Sequence, residues 1–266
     1  MSGRVLGAHQ KIDRVARKQL GKLIPDATLF PKSGKILHFE GQNGPDAIKR
    51  KSPAQDEPWH YFNPFNDDDN QLLELIQDHY DRLVKALKDV NKERVSFEAA
   101  WLAHAIVDGL TPAHHYPYEE KLVELRNGEG IETRNTLKAK WILPGANSRE
   151  RLANNWKMWG AKGLFTTHAM FEMGVAAIIA PLAFSEVTVT PAELKSFREI
   201  GVKQWFRETA REVAVLDMYV DYYKKGWTSH LASEVRHKLG PIMIHSVMIA
   251  WYAAMHDAKL IKVSKV

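Results

Sequence analysis

Residues 104–115 read HAIVDGLTPAHH. On a helix, residues four apart share a face, so His104 and Asp108 present an imidazole and a carboxylate side by side. Both are zinc ligands. Gly109 and Pro112 then end the helix. The turn returns His114 toward the end just left, from a direction the helix itself cannot supply. The same spacing of a histidine and an acid four residues on recurs at His9/Asp13, His115/Glu119, His168/Glu172 and His230/Glu234, five pairs in all. Chance alone gives roughly 1.4 such pairs in a chain of this composition, so the excess points to a metal site, although not every pair can belong to it. His230/Glu234 reads as a solvated helix pair, and Asp13 as the partner of Arg17, four residues further on. His38, His79, His237, His245 and His256 read as ordinary surface or satisfied core histidines.

The elements that must position these residues are helices. Strand signals are nearly absent: FSEVTVT (184–190) alternates briefly but runs into TPAEL, where Thr190 reads as a helix cap and Pro191 as the first helical position. Apolar residues at helical spacing predict helices over 8–21, 68–92, 95–109, 149–157 and 163–182. They also predict two broken helices, over 191–225 and over 227–258, the latter interrupted near Gly240-Pro241. Two irregular stretches, 22–66 and 126–148, are rich in Gly, Pro, Asp and Asn, and long irregular segments inside a domain are often functional. No linker and no repeat is visible, so residues 1–266 are expected to form a single all-α domain of many helices around a multinuclear zinc cleft.

The chain has no cysteine, which excludes disulfides, thiolate zinc sites and cysteine nucleophiles. It has no apolar stretch of signal-peptide length near residue 1, and its longest apolar runs, 174–184 and 241–255, fall short of the roughly 18 residues a spanning helix needs. A cytoplasmic location without a transmembrane segment is the resulting expectation. The net charge of +5 and pI near 9.2 favour, weakly, peripheral contact with anionic surfaces.

The pattern as a whole carries more than any pair. H-x3-D-x3-P-x-H at 104–114 is preceded by His9 in GAHQKI and by GPDAIKRKSPAQDEPWHYF, with Asp46 fourteen residues before His60, and is followed by H-x3-E at 168–172. In this order the motifs resemble those of the bacterial zinc-dependent phospholipases C and the related zinc-dependent single-strand nucleases, all-α enzymes that bind three zincs in a cleft. The resemblance spans residues 9–172; the last third reads as helical scaffold. It implies two or three zincs. His60, His104 and Asp108 would hold one, with Asp46 beside it. His114, His168 and Glu172 would hold a second, and His9 with a bridging Asp108 a third. Asp46 would orient the attacking water or accept its proton. His115 has no assigned role in this scheme.

Ala47 follows Asp46 where an aromatic residue of a choline pocket would be expected, whereas Tyr61 directly follows His60, where the nucleases stack a base. Ordinary packing beside Trp59 and Phe62 is the other reading of Tyr61. The family's amino-terminal tryptophan, whose free amine ligates zinc, has no counterpart; an amine freed by removal of Met1 is one candidate replacement, and a third zinc completed by water, or absent, is the other reading. The resulting expectation is a phospholipase C-like phosphodiesterase acting on a phospholipid headgroup. The alternatives are a single-strand nuclease or 3'-nucleotidase acting on single-stranded nucleic acid, favoured by Tyr61, Lys49 and the basic pI, and a non-catalytic binding protein stabilised by metal.

Overall fold

The computed structural model describes residues 7–261. Among them every regular element is helical. In chain order the helices are α1 (Ala8–Leu23), α2 (Ser33–Ile36), α3 (Pro45–Lys51), α4 (Gln71–Lys88), α5 (Lys92–Leu110), α6 (Tyr118–Leu125), α7 (Leu137–Trp141), α8 (Ser148–Trp159), α9 (Leu164–Ile179), α10 (Pro191–Ala214), α11 (Met218–Lys225), α12 (Ser229–Glu234) and α13 (Gly240–Asp257). They form one helical domain. No helix among the described residues is long and apolar enough to cross a membrane.

The centre of the domain is α13. Its sequence is apolar nearly all round, which a helix tolerates only when surrounded. It packs against α1, α4, α5 and α10. Trp251 is fully buried, tilts against Phe30 at 5.3 Å and donates its indole N–H to the Ala99 carbonyl at 3.0 Å, so its one polar atom is satisfied inside α5. Burial of one such side chain contributes roughly 1.5–3 kcal/mol. A second, smaller core gathers Tyr118, Leu122, Leu143 and Met158 beneath α6 and α8, with Tyr61 and Phe165 packed on its edge.

Local chemistry sets the boundaries. The helix expected over 68–92 stops at Lys88, because Val90 takes a left-handed φ of 54° and the Asn91 side chain accepts the Arg94 N–H to start α5. Thr190, Pro191 and Glu193 form a complete capping box at the start of α10. The helix expected over 191–225 breaks at 215–217, where Asp217 is left-handed (φ 50°), and is kinked earlier at Gly201 (φ 82°). At Gly240-Pro241 the expected interruption is instead a change of winding. Residues Val235–Leu239 form a π-helical turn that leads directly into α13, and Pro241 falls in the first turn of that helix, where its missing N–H costs nothing. The stretch 22–66 is not extended loop: it is a chain of short helical turns that includes α2 and α3.

Candidate metal centre

Helix α5 builds the middle of the centre. Its last turns are buried on all sides by α4, α1 and α10, and Gly109 lets them approach: a Cβ there would lie 2.5 Å from Leu72 Cδ2 and 2.5 Å from Phe206 Cζ. His104 and Asp108, four apart, therefore project from a fixed strip of backbone. The chain leaves α5 through Thr111, whose hydroxyl donates back to the Val107 carbonyl at 2.8 Å, and makes a 3-10 turn over Pro112–His115. That turn delivers His114.

Two groups of potential ligands result. His9, Glu40 and His104 form one, and His114, His168 and Glu172 the other; within each, the ligand atoms lie within 4.8 Å of one another. The His9 and His104 rings stack at 4.0 Å, and the His114 and His168 rings at 4.9 Å. In the second group His114 Nε2 is 2.9 Å from Glu172 Oε1, and His168 Nε2 is 3.2 Å from the same oxygen. Either triad is chemically able to hold a divalent metal ion.

Asp108 joins the two groups. Its Oδ1 lies 3.2 Å from His9 Nε2 and 3.8 Å from His114 Nδ1, while its Oδ2 lies 3.3 Å from His104 Nε2. Asp46, on the first turn of α3, brings its Oδ1 to 3.8 Å from His104 Nε2 and is the acid of this side most open to solvent. His60 belongs to neither triad: its ring packs on Tyr61 at 4.2 Å and on His114 at 5.1 Å, and its Nδ1 is 3.1 Å from the Pro58 carbonyl. It thus borders the centre from the His114 side rather than the His104 side. Tyr61 stacks one face on Tyr118 at 5.2 Å, with Trp59 at its edge. His115 turns away, its Nε2 2.8 Å from the Gly109 carbonyl, and burial holds its pKa down at about 4.

The electrostatics are those of a cation site. Burial would raise the Asp108 carboxyl, but the Lys49 ammonium, then His104 and His114, hold it well below the usual carboxylate range. Burial is likewise outweighed at Glu172, where contacts from His114 and His168 keep the carboxyl low. Burial lowers His168, and burial together with Lys49 and His114 lowers His60, so both rings stay neutral and keep a lone pair to offer. Several buried polar atoms have no hydrogen-bond partner among the described residues: His9 Nδ1, His104 Nε2, His114 Nδ1, His168 Nδ1 and both oxygens of Asp13. Such orphans are rare and costly in the absence of a ligand. At His104 burial is outweighed by the Asp108 and Glu40 carboxylates, which hold the imidazole well up, so a metal ion bound there would displace its proton. A converging donor set of imidazole nitrogens and carboxylates fits a divalent metal.

Three residues take parts that spacing did not assign. Glu40 lies 3.3 Å from His104 Nδ1 through each oxygen, the place of a carboxylate that orients a ligating histidine through its far nitrogen. Asp13 is no partner of Arg17. Arg17 donates instead to the carbonyls of Ala27 and Phe30, and Asp13 is buried toward Glu40 and His104, with burial and then the Glu40 charge pushing its carboxyl well up. Lys49 does not present itself to an outside polyanion. Its ammonium is 3.0 Å from Asp108 Oδ2 and 3.7 Å from Asp46 Oδ1, a cation already inside the cluster. His115/Glu119 is not a pair either, since Glu119 binds Arg134. His230/Glu234 is the exposed helix pair expected, at 3.7 Å. The amino-terminal amine proposed as a zinc ligand lies outside the described residues.

A cavity of about 630 Å³ lies elsewhere, between α4 and α10 beside Gly201. Its guanidinium Arg207 is turned onto the carbonyls of Asn66 and Asp69, and it gathers no histidine. No protein-family model, curated protein or solved structure matches the chain.

Proposed function

We propose that the chain is a zinc-dependent hydrolase of phosphate esters, phospholipase C-like, with the His/Glu centre as its active site. The observation that carries this reading is the position of Asp108, a single buried carboxylate between two separate ligand triads. His9, His104 and Asp108 would hold metal on one side, oriented by Glu40 and flanked by Asp46. His114, His168 and Glu172 would hold it on the other, with His60 beside them. Zinc bound there lowers the pKa of a coordinated water toward neutrality and neutralises charge on phosphoryl oxygens. Asp46, at the open edge of the centre, would orient that water and accept its proton.

A purely structural zinc site closes with four protein ligands. A solvent-open carboxylate, Asp46, standing beside the ligands is unused by such a closed site and favours catalysis over a metal-stabilised binding protein. Between the two catalytic readings, the ring of Tyr61 is occupied by Tyr118 on one face and tilted against His60, which leaves less of it for a stacked base. That favours a phospholipid over single-stranded nucleic acid.

The test is hydrolysis by zinc-loaded protein of a water-soluble phosphodiester, a short-chain phosphatidylcholine and a single-stranded oligonucleotide. The reading expects turnover of the first two, abolished by chelator and restored by zinc. Cleavage of the oligonucleotide with no lipid turnover would select the nuclease. No turnover of any of the three by fully loaded protein would leave a binding protein.

A further inference from the structure

Helix α8 carries an exposed apolar stripe that its own fold does not use. Arg149, Leu152, Trp156 and Trp159 follow one another at spacings of three, four and three, which places them on one helix face. The other side of α8 is the buried one, through Asn154 and Met158. Leu152 is 73% and Trp156 71% exposed, one turn apart, and it is such clustering rather than a single exposed side chain that marks an interaction surface. At the end of the stripe Trp159 closes on Phe165 at 4.6 Å and on Trp141 at 5.7 Å. Met170 and Met173, both exposed, extend the apolar surface along α9.

The surroundings of the stripe are basic. Lys138, Arg149, Arg151, Lys157 and Lys162 are all exposed between α7 and the start of α9, and none is in an ion pair among the described residues. The one acid in that span, Glu150, is engaged by Asn127 and by the Ala146 N–H. Tryptophan and leucine on one face, rimmed by unpaired lysines and arginines, is the chemistry of a surface that lies in the headgroup region of an anionic bilayer. A protein partner would need matching carboxylates around an apolar pocket. A lipid surface supplies both the negative charge and the apolar depth without that match.

The stripe also stands beside the metal centre. Phe165, which receives Trp159, is one turn before His168 on α9, and Met173 directly follows Glu172, whose side chain is 42% exposed. We infer that the exposed Leu152/Trp156/Trp159 face of α8, with its rim of cations, docks the protein on anionic phospholipid surfaces and sets the open edge of the centre against the headgroups. This rests on the phospholipid reading above for its purpose, but not for its physical basis.

The experiment is co-sedimentation of the full chain with vesicles of phosphatidylglycerol and phosphatidylcholine, at low and high salt, alongside hydrolysis of a water-soluble phosphodiester. Wild-type protein is expected to pellet with phosphatidylglycerol vesicles at low salt and to be released as salt rises. The Leu152→Ala/Trp156→Ala variant should bind at least about tenfold more weakly, and Arg149→Glu/Lys157→Glu should weaken binding similarly, with soluble-substrate turnover unchanged in both. Three results would overturn the inference: no pelleting of wild-type protein at low salt, equal pelleting of wild type and L152A/W156A, or a wild-type dimer in solution that L152A/W156A dissolves while neither binds vesicles. Vesicle binding through this face with no turnover of the soluble substrate would remove the enzymatic reading and leave the docking surface standing. Turnover without vesicle binding would do the reverse.

Discussion

The Lys49 ammonium and the Asp108 carboxylate form an ion pair of 3.0 Å in which the aspartate is 2% exposed and the lysine 19%. Asp108 therefore has an internal cation in the absence of metal. Removing one partner of such a pair leaves a buried charge uncompensated, at a cost of about 3–5 kcal/mol. Lys49→Met is expected to lose that stability in chelator and to regain much of it when zinc is supplied, because the metal ion takes over the neutralisation. Chemical denaturation of the variant with and without zinc measures both halves. A variant as stable as wild type in chelator would show that Asp108 does not depend on Lys49.

Gly109 is needed for the close approach of α4 and α10 to the site strip of α5. Alanine in a helix is ordinarily better than glycine by about 1 kcal/mol. Here the new methyl would meet Leu72 and Phe206, both fully buried and unable to swing away. Gly109→Ala should therefore destabilise by about 1–3 kcal/mol and lower metal affinity by displacing Asp108. Urea midpoints and zinc titration check the two effects.

His79, Glu98 and Arg94 make a buried polar chain on the far side of α5: His79 Nδ1 lies 2.6 Å from Glu98 Oε2, and Arg94 pairs with the other oxygen. Glu98→Ala strands the buried His79, while Arg94 stays open to solvent, and should cost about 1–3 kcal/mol. It should leave zinc stoichiometry intact. Loss of metal in a folded Glu98→Ala protein would place this chain within the metal centre after all.

Burial lowers the pKa of His245, only partly opposed by Glu193 at 3.4 Å. An unfolded histidine titrates near 6.5, so below that pH the unfolded chain takes up a proton that folded His245 resists. The stability it contributes is complete above about pH 6.5 and declines as pH falls toward the lowered folded value. His245→Gln should thus lose less in Tm than wild type between about pH 7.5 and 5.5. Parallel melting curves of the two proteins give the comparison. Identical acid sensitivity would assign the effect to other groups.

What the sequence disclosed follows from which interactions are local. His104/Asp108 and His168/Glu172 were legible because helical geometry alone fixes their faces, and Thr190 and Pro191 because a helix start is signalled by adjacent residues; the Glu193 half of the capping box was seen only in the structure. Asp13 was misassigned because it is four residues from both His9 and Arg17, and only the packing of α1 against α2 and α5 decides that it turns inward. Glu40 had no signal beyond its irregular neighbourhood, since it meets His104 from 64 residues away. The π-helical turn before Gly240 was equally hidden, because the sequence reads only as an obstacle to a helix and not as a way to continue one.

The proposed chemistry needs both triads, each able to hold a metal ion, on either side of Asp108. Zinc per chain, determined by elemental analysis of wild-type protein and Asp108→Asn after dialysis against zinc, tests this most directly. The account predicts two or three zincs in the wild type, and a loss from both sides of the bridge in the variant, because a neutral amide is a poor bridging ligand. Fewer than one zinc per wild-type chain, or an Asp108→Asn protein that retains the full complement, would contradict it.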